Sequence, residues 1–309
     1  MTLDIRGSIK NTKLSTNPYV VFEELISNAI DSYLIRKDAE ASAPPLDVRV
    51  EVVFRTSDLF GDQEVMSIRC SDNGCGLGDD QLKAFLTKDT SYKDDLHIAG
   101  IGKCKGAGRI QYFHYFGALS IDSTFRRGQE TLRRRLNYAE PTKQIDFEDF
   151  SEEPGAEADI GTTLSLGSFK ETARPRFAGA APSSLFAAAV LKRQMLMAFL
   201  QRLVGLDERL GDFTIAFSSR HGDDDAQTEA LKRADLPKVT ATKSVEIEER
   251  NPSTGDGAGL NRASGSRTIS WMPPSSACPR MRSPSAPNPL RSRTSPATTS
   301  APRPSRTIP

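Results

Sequence analysis

The stretch EELISNAIDS, residues 23–32, predicts a helix with two chemically different sides. In an α-helix, residues three and four positions apart lie one above the other, so Glu24, Asn28 and Asp31 share one polar stripe. The apolar residues beside this stripe can face a core: Leu25, Ile26, Ala29 and Ile30. Three aligned polar groups next to a buried surface predict a functional site on this helix.

The composition allows one sizeable hydrophobic core and a second small unit. The chain has 309 residues, of which 37% are hydrophobic and 26% are charged. Its 41 Lys and Arg residues against 40 Asp and Glu residues give a formal net charge of +1. A balanced charge gives no general attraction to nucleic acid or to a membrane surface, so neither partner is indicated.

Cysteine usage and the N-terminal residues favour a cytoplasmic protein. The four cysteines show no CxxC spacing and are too few for a disulfide scaffold: Cys70, Cys75, Cys104 and Cys278. The first ten residues, MTLDIRGSIK, are polar, and no apolar stretch approaches the length that spans a bilayer. We therefore expect free thiols, a cytoplasmic location and no membrane partner.

Hydrophobic periodicity predicts helices and strands around a sheet. The first helix is expected from about Pro18 to Lys37, with Ser15, Thr16 and Asn17 as capping candidates. Two alternating segments at 46–55 and 64–73 then predict a hairpin. Further strands are predicted at 118–125, 130–138, 160–166 and 212–217, and further helices at 79–86, 111–117 and 184–204.

The composition changes abruptly near Asn251. Residues 257–309 contain no Lys, Asp or Glu and are rich in Ser, Pro, Arg, Thr and Ala. Such a segment cannot bury enough apolar surface to offset its ordering entropy, so residues 251–309 are predicted to be a disordered tail. A solvated tail or a frame-shifted end is favoured over a basic, Pro-rich binding arm.

Three further motifs carry chemistry, and each alone has a plain structural interpretation. DNGCG (72–76) follows a strand and is otherwise an ordinary turn. AGIGKCKGAGRI (99–110) interleaves glycines with cations, as an anion-binding loop or a flexible surface loop does, but lacks the P-loop spacing. IGTTLSL (160–166) is otherwise a simple β-strand.

In this order and spacing, ELISNAIDS, DNGCG, GIGKCKGAGR and GTTLSL resemble the nucleotide-binding motifs of the GHKL, or Bergerat-fold, superfamily. That superfamily includes gyrase, heat-shock chaperones, histidine kinases and mismatch-repair ATPases, and ELISNAIDS is most similar to the chaperone branch. The resemblance implies an α+β fold: a two-layer α/β sandwich whose mixed sheet carries helices on one face. It also implies an ATP-binding domain over residues 1–220, followed by a charged linker or partial element at 221–250.

The resemblance implies a role for each matched residue. Glu24 would be the general base for the attacking water, and Asn28 would bind Mg²⁺ through its side-chain oxygen. Asp72 would accept a hydrogen bond from the adenine amine, and Thr162 would support the same pocket. Arg109 is a further candidate for phosphate contact. The full set expected to bind ATP or Mg²⁺ is Asn28, Asp72, Gly74, Gly76, Gly100, Gly102, Lys103, Lys105, Gly106, Gly108 and Thr162.

The expected function is Mg²⁺-dependent ATP binding with slow hydrolysis that drives closure of a lid and a conformational or dimerisation switch. The expected partners are ATP, a second copy of the chain and an unidentified protein client. Two alternatives remain: a nucleotide-gated binding module with negligible turnover, and a protein kinase of the same fold. A sensor kinase is disfavoured because no phosphoacceptor-histidine helix precedes the domain.

Overall fold

The computed structural model describes residues 1–57, 63–102 and 108–237, and the backbone of two short strands at 243–244 and 268–269. The helices are α1 Ile5–Asn11, α2 Val20–Ala39, α3 Asp79–Leu86, α4 Tyr92–Asp95, α5 Ile110–Tyr115, α6 Pro182–Phe186, α7 Ala188–Gly205 and α8 Asp207–Leu210. The strands are β1 Thr2–Asp4, β2 Leu46–Ser57, β3 Gln63–Asp72, β4 Phe116–Arg127, β5 Glu130–Ala139, β6 Gln144–Asp146, β7 Ser151–Pro154, β8 Gly161–Phe169, β9 Phe213–His221, β10 Gln227–Lys232, β11 Lys243–Ser244 and β12 Thr268–Ile269.

An eight-stranded mixed sheet forms one layer of the fold, in the order β10-β9-β2-β3-β8-β4-β5-β7. β2 and β3 pair in antiparallel fashion, with Val48 opposite Asp72, so the predicted hairpin is confirmed. β2 and β9 pair in parallel. This arrangement brings the end of β3, which carries Asp72, directly beside Thr162 at the start of β8.

Helices cover one face of this sheet and form the second layer. Alternate residues of β2 are buried, among them Val48 and Val50, whereas Arg49 and Glu51 on the other face are exposed. Long helix α2 lies against β2 and β3 and buries Phe22 and other apolar side chains completely. The α+β fold class, with two layers, a mixed sheet and helices on one face, is confirmed. Within the described residues, no helix is long and apolar enough to cross a membrane.

Helix α2 begins two residues later than Pro18 because a turn precedes it. Asn17 Oδ1 accepts a hydrogen bond from the Tyr19 amide at 3.0 Å, and Ser15 Oγ accepts one from the Asn17 amide at 3.1 Å. These side chains organise the turn before the helix rather than capping its first residues. The helix continues to Ala39, two residues past its predicted end.

The long helix predicted over residues 184–204 is two helices. The chain leaves helical geometry at Ala187, between α6 and α7. The amide of Ala188 donates to Ser219 Oγ on β9 at 3.0 Å, which satisfies a group that a continuous helix would have bonded internally. Periodicity cannot reveal this break, because its cause is a partner on a distant strand.

The first compact unit extends beyond residue 220. The chain has two compact units, residues 1–237 and 238–309. β10 pairs with β9, and its Leu231 is fully buried, so the first part of the segment predicted as a linker continues the sheet. In the second unit, β11 pairs with β12. Apart from β12, the predicted disordered tail lies outside the described residues.

We predict that a chain ending at Pro237 has the same free energy of unfolding as residues 1–237 have in the full protein. A chain ending at Gly222 should have a free energy of unfolding that is lower by about 1.5 to 3 kcal/mol or more. The shorter chain loses the buried side chain of Leu231 and exposes the edge of β9. Urea unfolding of the two chains measures the difference. Equal midpoints would contradict a structural role for β10.

Candidate functional site

A cavity of about 450 Å³ lies between α2, the ends of β3 and β8, and the segment from α3 to α5. Eight of the sequence-predicted site residues line it: Glu24, Asn28, Asp72, Gly76, Gly102, Gly108, Arg109 and Thr162. Three others, Lys103, Lys105 and Gly106, lie outside the described residues. Segments far apart in the sequence therefore meet around one space.

The polar stripe of α2 faces this cavity. Asn28 Nδ2 donates to the hydroxyl of Tyr112 at 3.3 Å, and Asn28 Oδ1 accepts from the ammonium of Lys93 at 2.8 Å. Gly108 approaches Glu24 so closely that a Cβ at this position would overlap the Glu24 carboxylate. Partial burial raises the pKa of Glu24, and the positive charge of Lys93 offsets part of that rise. The pKa of Glu24 is therefore closer to neutral pH than the pKa of an exposed glutamate.

Asp31, the third member of the stripe, is buried and accepts hydrogen bonds from three parts of the chain. It accepts from Lys93 Nζ at 2.6 Å, from the amide of Gly102 at 3.0 Å and from the guanidinium of Arg202 on α7. With 1% of its surface exposed, the Asp31 side chain has lost its solvation, and these donors compensate for that loss. Asp31 therefore holds Lys93, the amide of Gly102 and Arg202 together at one point beside α2.

Asp72, the last residue of β3, also lines the cavity. Its Oδ1 accepts from the amide of Gly74 at 2.8 Å, and the amide of Thr162 donates to the same carboxyl group. Burial raises the pKa of Asp72 to about 7, although both amide hydrogen bonds oppose the rise. A carboxylate held at this energetic cost is a candidate for binding a ligand rather than for stabilising the fold.

Two predicted glycines support the site from outside the cavity. At Gly74 a Cβ would overlap the hydroxyl of Ser32, so this glycine allows the turn to pack on α2. Gly100, with φ of +83°, lies against Leu206, and its carbonyl accepts from Arg202 at 3.1 Å. By contrast, Gly76 lines the cavity with φ of +76°, where any side chain would overlap the carbonyl of Thr124.

Ser123 positions Thr162 at the cavity, a contact that the sequence did not reveal. Its hydroxyl donates to the carbonyl of Gly161 at 2.9 Å and accepts from the amide of Leu77 at 2.7 Å. Because this hydroxyl has one proton, the contact of 2.9 Å to Thr162 Oγ1 has Thr162 as donor. Thr162 consequently keeps its oxygen lone pairs available to a donor in the cavity. Ser123 is one serine in an alternating strand, and nothing in that pattern distinguishes it.

Lys93 and Arg202 were also missed by the sequence analysis. Lys93 lies in the short helix α4, within a run of mixed charges that suggests only a solvated surface. Arg202 lies one helical turn after buried Phe199 in α7. A cation so close to the core side of a helix is the one weak sign in the sequence that Arg202 has a buried partner. Both are recognisable only through Asp31, which they contact from sites that are distant in sequence.

The residues present fit Mg²⁺ as a partly hydrated ion. Within the described residues, no group of three His, Cys, Asp or Glu side chains could hold a metal by itself. Mg²⁺ in nucleotide sites is commonly held by one or two protein oxygens together with phosphates and water. Asn28 Oδ1 is such an oxygen: it lines the cavity and already accepts from a cationic group, the Lys93 ammonium.

No family model matches this sequence. No curated protein matches it either. Among solved structures, the N-terminal domain of a DNA repair protein is similar at 14% identity and a TM-score of 0.40. The match covers 70% of this chain and 52% of that one, so the chain spans about half the length of that structure. A similarity of this size does not identify a function.

The raised pKa of Asp72 predicts a pH-dependent cost to stability. Between its ordinary pKa of about 3.9 and about 7, the folded protein keeps a proton that the unfolded chain has released. Stability therefore falls as the pH rises through this window. Replacing Asp72 with Asn removes the penalty and keeps the acceptor for Gly74, so the variant should gain stability over the wild type as the pH rises from 4 to 8.

Urea unfolding at several pH values measures this difference in unfolding free energy. Asp225→Asn, at an exposed loop position, is the control for the loss of one surface carboxylate. A difference between wild type and Asp72→Asn that stays constant from pH 4 to 8 would refute the assignment of a buried, proton-binding carboxyl to Asp72.

Proposed function

We propose that this chain is an ATP-binding protein of the GHKL type that hydrolyses ATP slowly with Mg²⁺. The observation that carries the proposal is the arrangement of two groups around one cavity of about 450 Å³. A desolvated carboxyl group, Asp72, lines it from the end of β3, and Glu24 and Asn28 line it from α2. The first group suits recognition of a base, and the second suits chemistry on phosphates.

Asp72 and Thr162 form the base-recognition end of the proposed site. Ionised Asp72 has only acceptors to offer, so it selects a ligand that presents N–H groups, such as the exocyclic amine of adenine. The lone pairs of Thr162 Oγ1 add a second acceptor beside it. Apolar side chains, including Ile121 and Leu164, line the same cavity and provide surface for a flat base.

Glu24, Asn28 and Lys93 form the phosphate end. When bound, Mg²⁺ would neutralise phosphate charge, with Asn28 Oδ1 as its protein ligand. Glu24 would orient the attacking water and accept its proton, and its raised pKa improves it as a general base near neutral pH. Lys93 Nζ lies 2.8 Å from Asn28 Oδ1 and would supply positive charge to the phosphates.

Turnover by this chain alone should be slow. In the mechanical members of the superfamily, a following domain supplies a further cation to the γ-phosphate, whereas the described residues 221–237 contribute β10 to the same sheet. Nucleotide binding would then act chiefly as a conformational or dimerisation switch for a client protein in the cytoplasm. A measurement that separates binding from hydrolysis therefore tests the proposal directly.

We predict that substitutions of Glu24 and Asn28 fail in different ways. Glu24→Ala should keep Mg²⁺-ATP binding and lose about 10² to 10⁴ in hydrolysis rate, because a general base acts only in the transition state. Asn28→Ala should lose both, because a metal ligand also supports the bound nucleotide. Calorimetric titration of Mg²⁺-ATP, followed by an assay of phosphate release, measures the two effects.

Asp38→Asn is the matched control, because Asp38 is exposed on the same helix, two turns beyond Asp31, and does not line the cavity. Wild-type behaviour in both test variants would eliminate the active-site interpretation of α2. Binding by wild type with no hydrolysis, and no change in Glu24→Ala, would favour the nucleotide-gated binding module instead.

We predict that Asp72→Asn changes which base is bound. An amide NH₂ in place of an acceptor opposes the adenine amine at a cost of about 1 to 3 kcal/mol, or about 5- to 150-fold in affinity. The same NH₂ can donate to the 6-oxo group of inosine. The ratio of adenosine to inosine affinity, measured by competition, should fall in the variant, and an unchanged ratio would mean that Asp72 does not contact the base.

A further inference from the structure

Asp31 lies between two cations at the wall of the cavity. Lys93 Nζ contacts Asp31 Oδ2 at 2.6 Å, and the guanidinium of Arg202 contacts Oδ1 from the other side. Asp31 is 1% exposed, whereas the side chain of Lys93 is 21% exposed and that of Arg202 is 19% exposed. One buried negative charge is therefore shared by two partly exposed positive charges.

Arg202 is much more firmly held than Lys93. Besides Asp31, its guanidinium donates to Ser27 Oγ at 3.0 Å and to the carbonyl of Gly100 at 3.1 Å. An arginine fork that donates to three acceptors at once has one preferred position. Lys93 contacts Asp31 and Asn28 Oδ1 through a single ammonium on a flexible stem, so it can leave with little rearrangement.

The charge balance decides which cation the carboxylate needs. A buried carboxylate is costly without a counter-ion, and Arg202 alone satisfies that need. The charge of Lys93 is then in excess at Asp31, on the wall that also carries Asn28. If Arg202 were absent, Lys93 would be the cation left to neutralise Asp31 and would be held there.

We propose that Arg202 is a positioning residue: by neutralising Asp31 from α7, it leaves the Lys93 ammonium available to an anion in the cavity, the phosphate groups of a nucleotide. The inference deepens the proposed function and rests on it. It connects α7, which does not reach the cavity through Arg202 itself, to phosphate binding through Asp31 and Lys93. It also explains why a cation lies beside the core stripe of α7.

The test uses three probes without Mg²⁺ on the full chain: ATP, inorganic tripolyphosphate and adenosine. Arg202→Gln should weaken binding of ATP and tripolyphosphate about tenfold or more, the effect of losing one charge-assisted contact, and leave adenosine affinity unchanged. A role in folding alone would lower affinity for all three probes together. Arg202→Lys should restore most of the loss, and Arg193→Gln, at an exposed position of the same helix, should have no effect.

Two further variants test the route through Lys93. Lys93→Gln keeps Arg202 as the counter-ion of Asp31, and it should lose affinity for ATP and tripolyphosphate but not for adenosine, as Arg202→Gln does. This variant therefore tests the role of Lys93 even if Arg202→Gln folds poorly. Adding Asp31→Asn to Arg202→Gln should recover phosphate affinity, because a neutral residue no longer retains Lys93. Selective loss in both single variants with recovery in the double variant supports the inference.

Equal loss for adenosine, no loss in Arg202→Gln, or no recovery on adding Asp31→Asn would overturn it. The proposed function fails separately. A wild-type chain that binds tripolyphosphate with this mutational pattern but does not bind adenosine would refute ATP recognition and leave the role of Arg202 intact. A wild-type chain that binds none of the three probes would refute both.

Discussion

The arrangement of the cavity depends on the hydrogen bonds and ion pairs of one buried carboxylate, Asp31. It joins α2, the segment at Gly102 and helix α7 at a single point, and these parts are far apart in the sequence. A buried carboxylate is costly without hydrogen-bond and charge partners, so these contacts favour an arrangement in which all three parts stay together. The same contacts hold Lys93 beside Asn28, so the stability of the fold and the charge of the cavity share one origin.

The cavity contains groups that the fold would be more stable without. Burial raises the pKa of both Glu24 and Asp72, which means that each carboxylate loses solvation when the chain folds. At Asp72 the amides of Gly74 and Thr162 recover only part of that loss. A structural role alone would be served by neutral residues, and a ligand with complementary N–H groups or cations compensates for the cost when it binds.

Local patterns in the sequence predicted most of the fold and one part of the site. Alternation and helical spacing predicted α2, the β2–β3 hairpin and the α+β class, because each depends on neighbouring residues. The stripe of α2 and Asp72 at a strand end were recognisable for the same reason, since motif residues lie close together in the chain. Their meeting around one cavity was expected from family resemblance alone.

The features that the sequence did not predict depend on contacts between segments that are distant in the chain. Ser123 reaches Gly161, Arg202 reaches Asp31, and the amide of Ala188 reaches Ser219, and none of these pairs leaves a periodic signal. The strand β10 was interpreted as part of a linker because its six residues are mostly polar, and its place in the sheet comes from pairing with β9. Isolated polar residues acquire a role only when folding supplies their partner.

The proposed function requires one cavity to hold a nucleotide in one orientation, with its base at Asp72 and its phosphates at the α2 stripe. A crystal structure of the full chain with Mg²⁺ and a non-hydrolysable ATP analogue tests it most directly. The account predicts the adenine amine within hydrogen-bond distance of Asp72, the metal at Asn28 Oδ1 and Lys93 turned toward the phosphates. A nucleotide bound outside this cavity, or one with its phosphates at Asp72, would contradict the account.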